Sequence, residues 1–141
     1  MKALGDEMAP LVIEAESEGH RSMRRLRDEW SSGANRFQGA GEFLLAAYAG
    51  GKLIAVGGLN IDPYSSALGI GRIRHVYVCS QARRRGVGTM LVKHIIVGAG
   101  RRFSTLRLRT TTAEAAAFYE RLGFHGCNEE AATHILELGA T

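Results

Sequence analysis

Between Val78 and Thr89 the chain reads Val-Cys-Ser-Gln-Ala-Arg-Arg-Arg-Gly-Val-Gly-Thr: an apolar stretch ends, three arginines follow, and two glycines open a segment of helical period. That order suits recognition of an anion. The first turn of a helix leaves backbone N–H groups without partners and carries partial positive charge, and glycines there let a phosphate come close to the main chain. Arg83, Arg84 and Arg85 would add charge and forked donors. Two phosphate motifs are excluded by spacing. A dinucleotide fingerprint would need a third glycine at Leu91, and a P-loop would need Lys then Ser or Thr where Thr89 and Met90 stand. The structural alternative is a charged loop capped by a flexible glycine pair.

Other chemistry-bearing residues are less ordered. Arg72 and Arg74 alternate along a strand-like stretch; if both face one cleft they favour a substrate with a carboxylate or phosphate, and surface ion pairs account for them equally. Arg36, Arg107 and Arg109 have no readable facing. His20, His75, His94, His125 and His134 lack ligand spacing, so no metal site is expected. Cys79 and Cys127 lie far apart, with neither zinc-knuckle nor redox-pair spacing, which fits a reducing cytoplasm.

The elements that would position these groups follow from periodicity. Leu11, Val12 and Ile13 before Glu14, Glu16 and Glu18 read as a first strand turning into an acid-rich helix start. Met23, Leu26 and Trp30 then form one buried stripe between arginines, in a helix stopped by Gly33. Ser31 to Glu42 has no period and marks a loop or broken short helix, a candidate wall of the binding site.

Phe43–Ala49 and Leu53–Ile61 read as a hairpin across Gly50-Gly51, ending near Asp62-Pro63. Ile70–Val78 alternates until a slip at His75 and Val76, as a bulge would leave it. Val87, Met90, Leu91, His94 and Ile95 predict a helix up to Gly98 and Gly100, and Thr105–Thr110 a further strand. Thr111 and Glu114 predict a capping box for a helix with Ala115, Phe118 and Leu122 inward and Gly123 as its stop; Phe124–Cys127 and His134–Leu138 are the last strands. The order predicts an α/β (mixed α+β) fold, a mostly antiparallel mixed sheet with helices on its faces.

Length and composition agree with one domain over residues 1–141: the chain is 45% hydrophobic and 23% charged, enough for one core without a disulfide or metal staple. Neither a secretory leader nor a membrane span is expected, because Gly5, Asp6 and Glu7 interrupt the start and Gly50, Gly51 and Lys52 interrupt the longest apolar region. The formal charge of +4 points to an anionic partner.

Arg83-Arg84-Arg85-Gly86-Val87-Gly88 resembles the Arg/Gln-x-x-Gly-x-Gly/Ala signature of GNAT-type N-acetyltransferases, preceded by the strand end Val76-Tyr77-Val78. Ala115-x-x-Phe118-Tyr119-Glu120-x-Leu122-Gly123-Phe124 is similar to that family's later helix-and-strand motif. The resemblance covers nearly the whole chain and implies a six- or seven-stranded sheet whose fourth and fifth strands splay apart, here Ile70–Val78 and Thr105–Thr110. It implies acetyl-CoA as acyl donor and a small-molecule or peptide amine as acceptor, with direct attack. By resemblance the main chain of Val76, Tyr77 and Val78 holds the pantetheine arm and polarises the thioester carbonyl. The amides of Arg84, Arg85, Gly86, Val87, Gly88 and Thr89 wrap the pyrophosphate, and Arg83 and Phe118 belong to the cofactor side. Tyr119 matches the general acid that protonates the departing thiolate, although a tyrosine there also suits an amphipathic core. Thr112 replaces a frequent pantetheine-binding asparagine.

The general base is open. Positions that carry it in several family members are Arg72 and Arg74 here, and arginine keeps its proton at neutral pH; His75 and Asp62 are the remaining candidates. Two other readings stand beside the enzyme: a basic module gripping nucleic acid through the arginine turn and the Arg21–Arg27 helix, and a coenzyme A-binding domain without activity. The enzyme reading expects a cytoplasmic protein with no nucleic acid or membrane partner. It leaves the acceptor, the oligomeric state (a homodimer among the options) and acyl preferences beyond acetyl open.

Overall fold

The Gly50-Gly51 pair turns as its composition requires: both residues sit at positive φ, 57° and 79°, and join β1 (Phe43–Ala49) to β2 (Lys52–Ile61) antiparallel. The computed structural model describes residues 4–129 and 131–139. β3 (Ile70–Val78), β4 (Thr105–Leu108), β5 (His125–Gly126) and β6 (His134–Glu137) complete a six-stranded sheet of order β1-β2-β3-β4-β6-β5. Every pairing is antiparallel except β3 with β4.

Among the described residues four α-helices cover the sheet: α1 (Leu4–Ser17), α2 (Ser22–Ser32), α3 (Val87–Ala99) and α4 (Ala113–Arg121). One buried cluster joins Met8, Leu11, Val12, Met23 and Leu26 of α1 and α2 to Val56 and Tyr77. The other joins Val92 and Ile95 of α3 and Tyr119 of α4 to Leu59, Ile73 and Leu106. Ile73 and Tyr77 are four residues apart, so an unbroken strand would put them on one face. They serve opposite clusters because of the expected bulge. One residue of β2, Gly57, opposes both His75 and Val76, and His75 takes the left-handed conformation at φ 61°.

Three expectations fail. The expected strand at Leu11–Ile13 lies inside α1, because Met8, Leu11, Val12 and Ala15 fall at i, i+3, i+4 and i+7 and are all buried; three adjacent apolar residues hid a helical stripe. The sheet therefore starts at Phe43, and the parallel pair is its third and fourth strands. The cap of α4 is Thr112, whose Oγ1 accepts from the Ala115 N–H at 3.1 Å, one residue after the expected Thr111.

Finally, Ser31–Glu42 does not wall the cleft described below. Asn35 and Asn60 exchange reciprocal amide hydrogen bonds of 2.9 and 3.0 Å, and Phe37 is buried over Gly58, where an added Cβ would meet its ring at 2.5 Å. Those contacts hold the segment against β2. Among the described residues no helix is long and apolar enough to cross a membrane.

Candidate active site

β3 and β4 stay paired for only three residues, Ile70 with Thr105, Gly71 with Leu106 and Arg72 with Arg107, and then part. Past that fork the β4-facing edge of β3 has no strand partner, which leaves main-chain donors and acceptors toward the opening. Two clefts meet there. The larger, of about 1200 Å³, is lined by the His20–Ser22 turn, by Tyr64–Ser66 and by side chains of β3 and β4. The smaller, of about 610 Å³, runs along Val76, Tyr77 and Val78 to the arginine–glycine turn. His20, Ser22, Val76, Thr112, Ala115 and Tyr119 border both.

The turn supplies an anion cradle from main chain. Gly86 caps α3 at φ 80° and Arg84 also sits at positive φ, 64°, so the chain reverses sharply before the helix. The first helical bond runs from the Met90 N–H to the Gly86 carbonyl at 3.0 Å, which leaves the N–H groups of Val87, Gly88 and Thr89 without intrahelical acceptors. An added Cβ at Gly88 would come no closer than 3.5 Å to Phe118 and Val78, so the glycine faces space at the cleft wall.

Of the anticipated site residues, Val76, Tyr77, Val78, Arg83, Arg84, Gly86, Gly88, Thr89, Thr112, Phe118 and Tyr119 line the smaller cleft; Arg85 and Val87 do not. Arg83 turns its fork toward acceptors within the protein. Its guanidinium lies 2.9 and 2.6 Å from the Glu18 oxygens, its Nε donates to the Val78 carbonyl at 2.9 Å, and it covers the Tyr77 ring. The Tyr77 hydroxyl sits 2.6 Å from Glu14 and 2.9 Å from Glu18, while Glu14 accepts from the Ser80 N–H and hydroxyl. Hydrogen bonding from Arg83 holds the Glu18 carboxyl below its usual range. Glu14 of α1 and Glu18, just past its end, thus brace the junction between β3 and the cradle.

Tyr119 is buried, its ring edge-on to Phe118 and Phe124 at centroid distances of 5.0 and 5.5 Å. Desolvation pushes its pKa up, so the hydroxyl holds its proton throughout the neutral range. Asp62, a candidate base, borders neither cleft: it is buried beside Arg72 and Arg107 and accepts from the Tyr64 N–H at 2.9 Å. His75 does line the larger cleft, and among the described residues neither ring nitrogen has a hydrogen-bond partner. Arg72 and Arg74 both line that cleft, as do Arg107 and Arg109, whose facing the sequence left unread.

His75 also makes stability depend on pH. Burial first, and then the neighbouring Arg74 charge, lower its pKa from 6.5 to about 4. Below pH 6.5 the unfolded chain binds a proton that the fold refuses. Stability is therefore complete above about 6.5 and falls by about 3 kcal/mol as pH drops through 4. Asparagine tolerates the left-handed backbone and does not titrate. Urea midpoints measured near pH 7 and near pH 4.5 should converge in His75→Asn relative to the parent chain; an unchanged acid loss would remove His75 as its source.

Comparison with known proteins adds independent findings. A family model described as an acetyltransferase (GNAT) domain matches residues 40–126. The solved structure of a candidate acetyltransferase from Exiguobacterium sp. 255-15 is 32% identical, with a TM-score of 0.80 over 91% of this chain and 83% of that one. An aminoglycoside 6'-N-acetyltransferase complexed with coenzyme A aligns over 100% of this chain and 94% of its own, with TM-score 0.72 and 16% identity. The ribosomal-protein-S18-alanine N-acetyltransferase from Escherichia coli aligns over 82% and 78%, with TM-score 0.62 and 22% identity. The last two identities show a shared fold alone.

Proposed function

The chain belongs to the GNAT acetyltransferase family, and from that premise we propose that it moves the acetyl group of acetyl-CoA to a primary amine by direct attack in a ternary complex. The observation that carries this reading is the meeting of two clefts along a shared wall that includes Val76 and Tyr119, which offers donor and acceptor adjoining spaces. The residues fit coenzyme A. The free amides of Val87, Gly88 and Thr89 match the pyrophosphate, and the unpaired edge of β3 matches the amides of a pantetheine arm laid along it. When bound, acetyl-CoA supplies an acyl carbon activated as a thioester.

The chain's own groups do the rest. A backbone N–H between Val76 and Val78 donates to the thioester carbonyl oxygen as negative charge develops on it. The Tyr119 hydroxyl donates its proton to the sulfur as the carbon–sulfur bond breaks and the carbon–nitrogen bond forms. Phe118 closes the cradle side against Gly88. His75 offers an unprotonated ring to the amine N–H or to a water that carries the proton away; with a pKa about 4, it holds that proton only weakly.

A thiol-release assay with acetyl-CoA and a pooled panel of amines tests this directly, beside thermal shift with coenzyme A alone. The expected result is a raised melting temperature with coenzyme A and thiol release that requires an amine. Binding without release from any amine would favour the inactive-domain reading. Neither binding nor release would remove the proposal.

A further inference from the structure

Arg72 and Arg107 face each other on the last rung before β3 and β4 separate. Their side chains are only 8% and 11% exposed, and both border the larger cleft. One buried carboxylate, Asp62, stands between them, 3.9 Å from Arg72 Nη1 and 3.4 Å from Arg107 Nη1. Charge-assisted hydrogen bonds close to about 2.7–2.9 Å, so neither guanidinium is matched to it. Arg72 Nη1, Arg107 Nε and Asp62 Oδ2 are all buried without a hydrogen-bond partner among the described residues.

Arg72 is otherwise held in place. Its Nη2 donates to the Ala131 carbonyl at 2.7 Å, and the Tyr64 ring covers it at 4.7 Å. Two buried cations against one anion leave a surplus positive charge, and burying unmatched charge is expensive unless something repays it. Burial indeed lowers the Arg72 pKa. The wider cleft repeats the imbalance. Among the described residues six arginines (Arg21, Arg25, Arg72, Arg74, Arg107 and Arg109) and one carboxylate, the exposed Glu129, line it. Glu29, outside the lining, offsets part of this through Arg25 at 3.0 Å and Arg74 at 3.9 Å.

We propose that the Arg72–Arg107 pair at the strand fork is an anion-binding subsite for the acceptor, so that the amine acetylated is a small molecule carrying a carboxylate or phosphate. This rests on the acetyl-transfer reading for what happens to the amine; the anion subsite itself rests on the fork. The two guanidiniums grip the anionic group at the fork, and the amine then points along β3 toward Val76 and Tyr119. Asp62 sets the spacing of the pair without neutralising it.

Matched acceptor sets test the subsite: an amino acid, its amide, its decarboxylated amine and its aminophosphonate analogue, over the twenty proteinogenic skeletons and β-alanine. Each is measured by thiol release and by calorimetry on the coenzyme A-loaded chain. Anionic members should outperform their neutral partners by about 30-fold or more in kcat/KM or affinity, as expected for a charge pair at a buried site. Preference for the carboxylate or the phosphonate identifies which anion the fork takes.

Arg107→Gln and Arg72→Gln should raise KM or Kd for the preferred acceptor about 30-fold, with the acetyl-CoA KM within about two-fold. Arg107→Lys, which keeps the charge and loses the fork, should fall between and covers the case in which a glutamine variant does not fold. Equal use of acids and amides, or no anion bound more tightly than its amide, overturns the subsite. Failure of thiol release with anion binding intact overturns only the transfer reading.

Discussion

Tyr119→Phe should lower kcat about 100- to 1000-fold while leaving the KM for acetyl-CoA nearly unchanged, which is the usual scale for loss of a positioned general acid. The argument rests on what the substitution keeps. The ring fills the space between Phe118 and Phe124, and phenylalanine preserves both edge-on contacts. Burial raises the phenol's pKa, so the wild-type group is protonated across the working range and can give its proton only to a stronger base such as a departing thiolate. Steady-state kinetics with an amine acceptor read the effect. A variant with unchanged kcat from pH 6 to pH 9 would reduce Tyr119 to a packing residue.

Gly88→Glu should weaken coenzyme A binding about 100-fold or more while leaving the unliganded fold at least as stable. Position 88 is the second residue of α3, where a carboxylate favours the helix by about 0.3–1 kcal/mol through the N-terminal partial charge. The field that welcomes the side chain is the one proposed to hold the pyrophosphate. A glutamate there competes for the free amides and adds like-charge repulsion, and its Cβ makes only ordinary contacts, 3.5 Å from Phe118 and Val78. Calorimetry and thermal melting together separate the two effects. Loss of binding accompanied by unfolding would leave Gly88→Ala as the control, since an added methyl makes only ordinary contacts at 3.5 Å.

What could be read from sequence was local. The turn at Gly50-Gly51, the stripe of α2 and the stop at Gly33 each depend on a few neighbouring residues, and all fold as those residues dictate. The slip at His75 was visible because a period of two cannot absorb an extra residue unnoticed. Nothing local places Glu14 and Glu18 beside Tyr77 and Arg83, because those contacts join residues 59 to 65 positions apart.

Arg107 shows the other limit. Its facing is fixed by a three-residue parallel pairing with β3 across more than thirty positions of sequence, and no period within β4 encodes that register. The loop from Ser31 to Glu42 looked like a wall because it was polar and irregular. The reciprocal Asn35–Asn60 bond and the fit of Phe37 over Gly58 that tie it down are long-range contacts.

A crystal structure of the full chain with coenzyme A bound bears most directly on the central claim. The account predicts diphosphate oxygens within hydrogen-bond reach of the Val87, Gly88 and Thr89 amides, the pantetheine arm along Val76–Val78, and the sulfur beside the Tyr119 hydroxyl. Coenzyme A seated away from the start of α3, or with its sulfur remote from Tyr119, would contradict it.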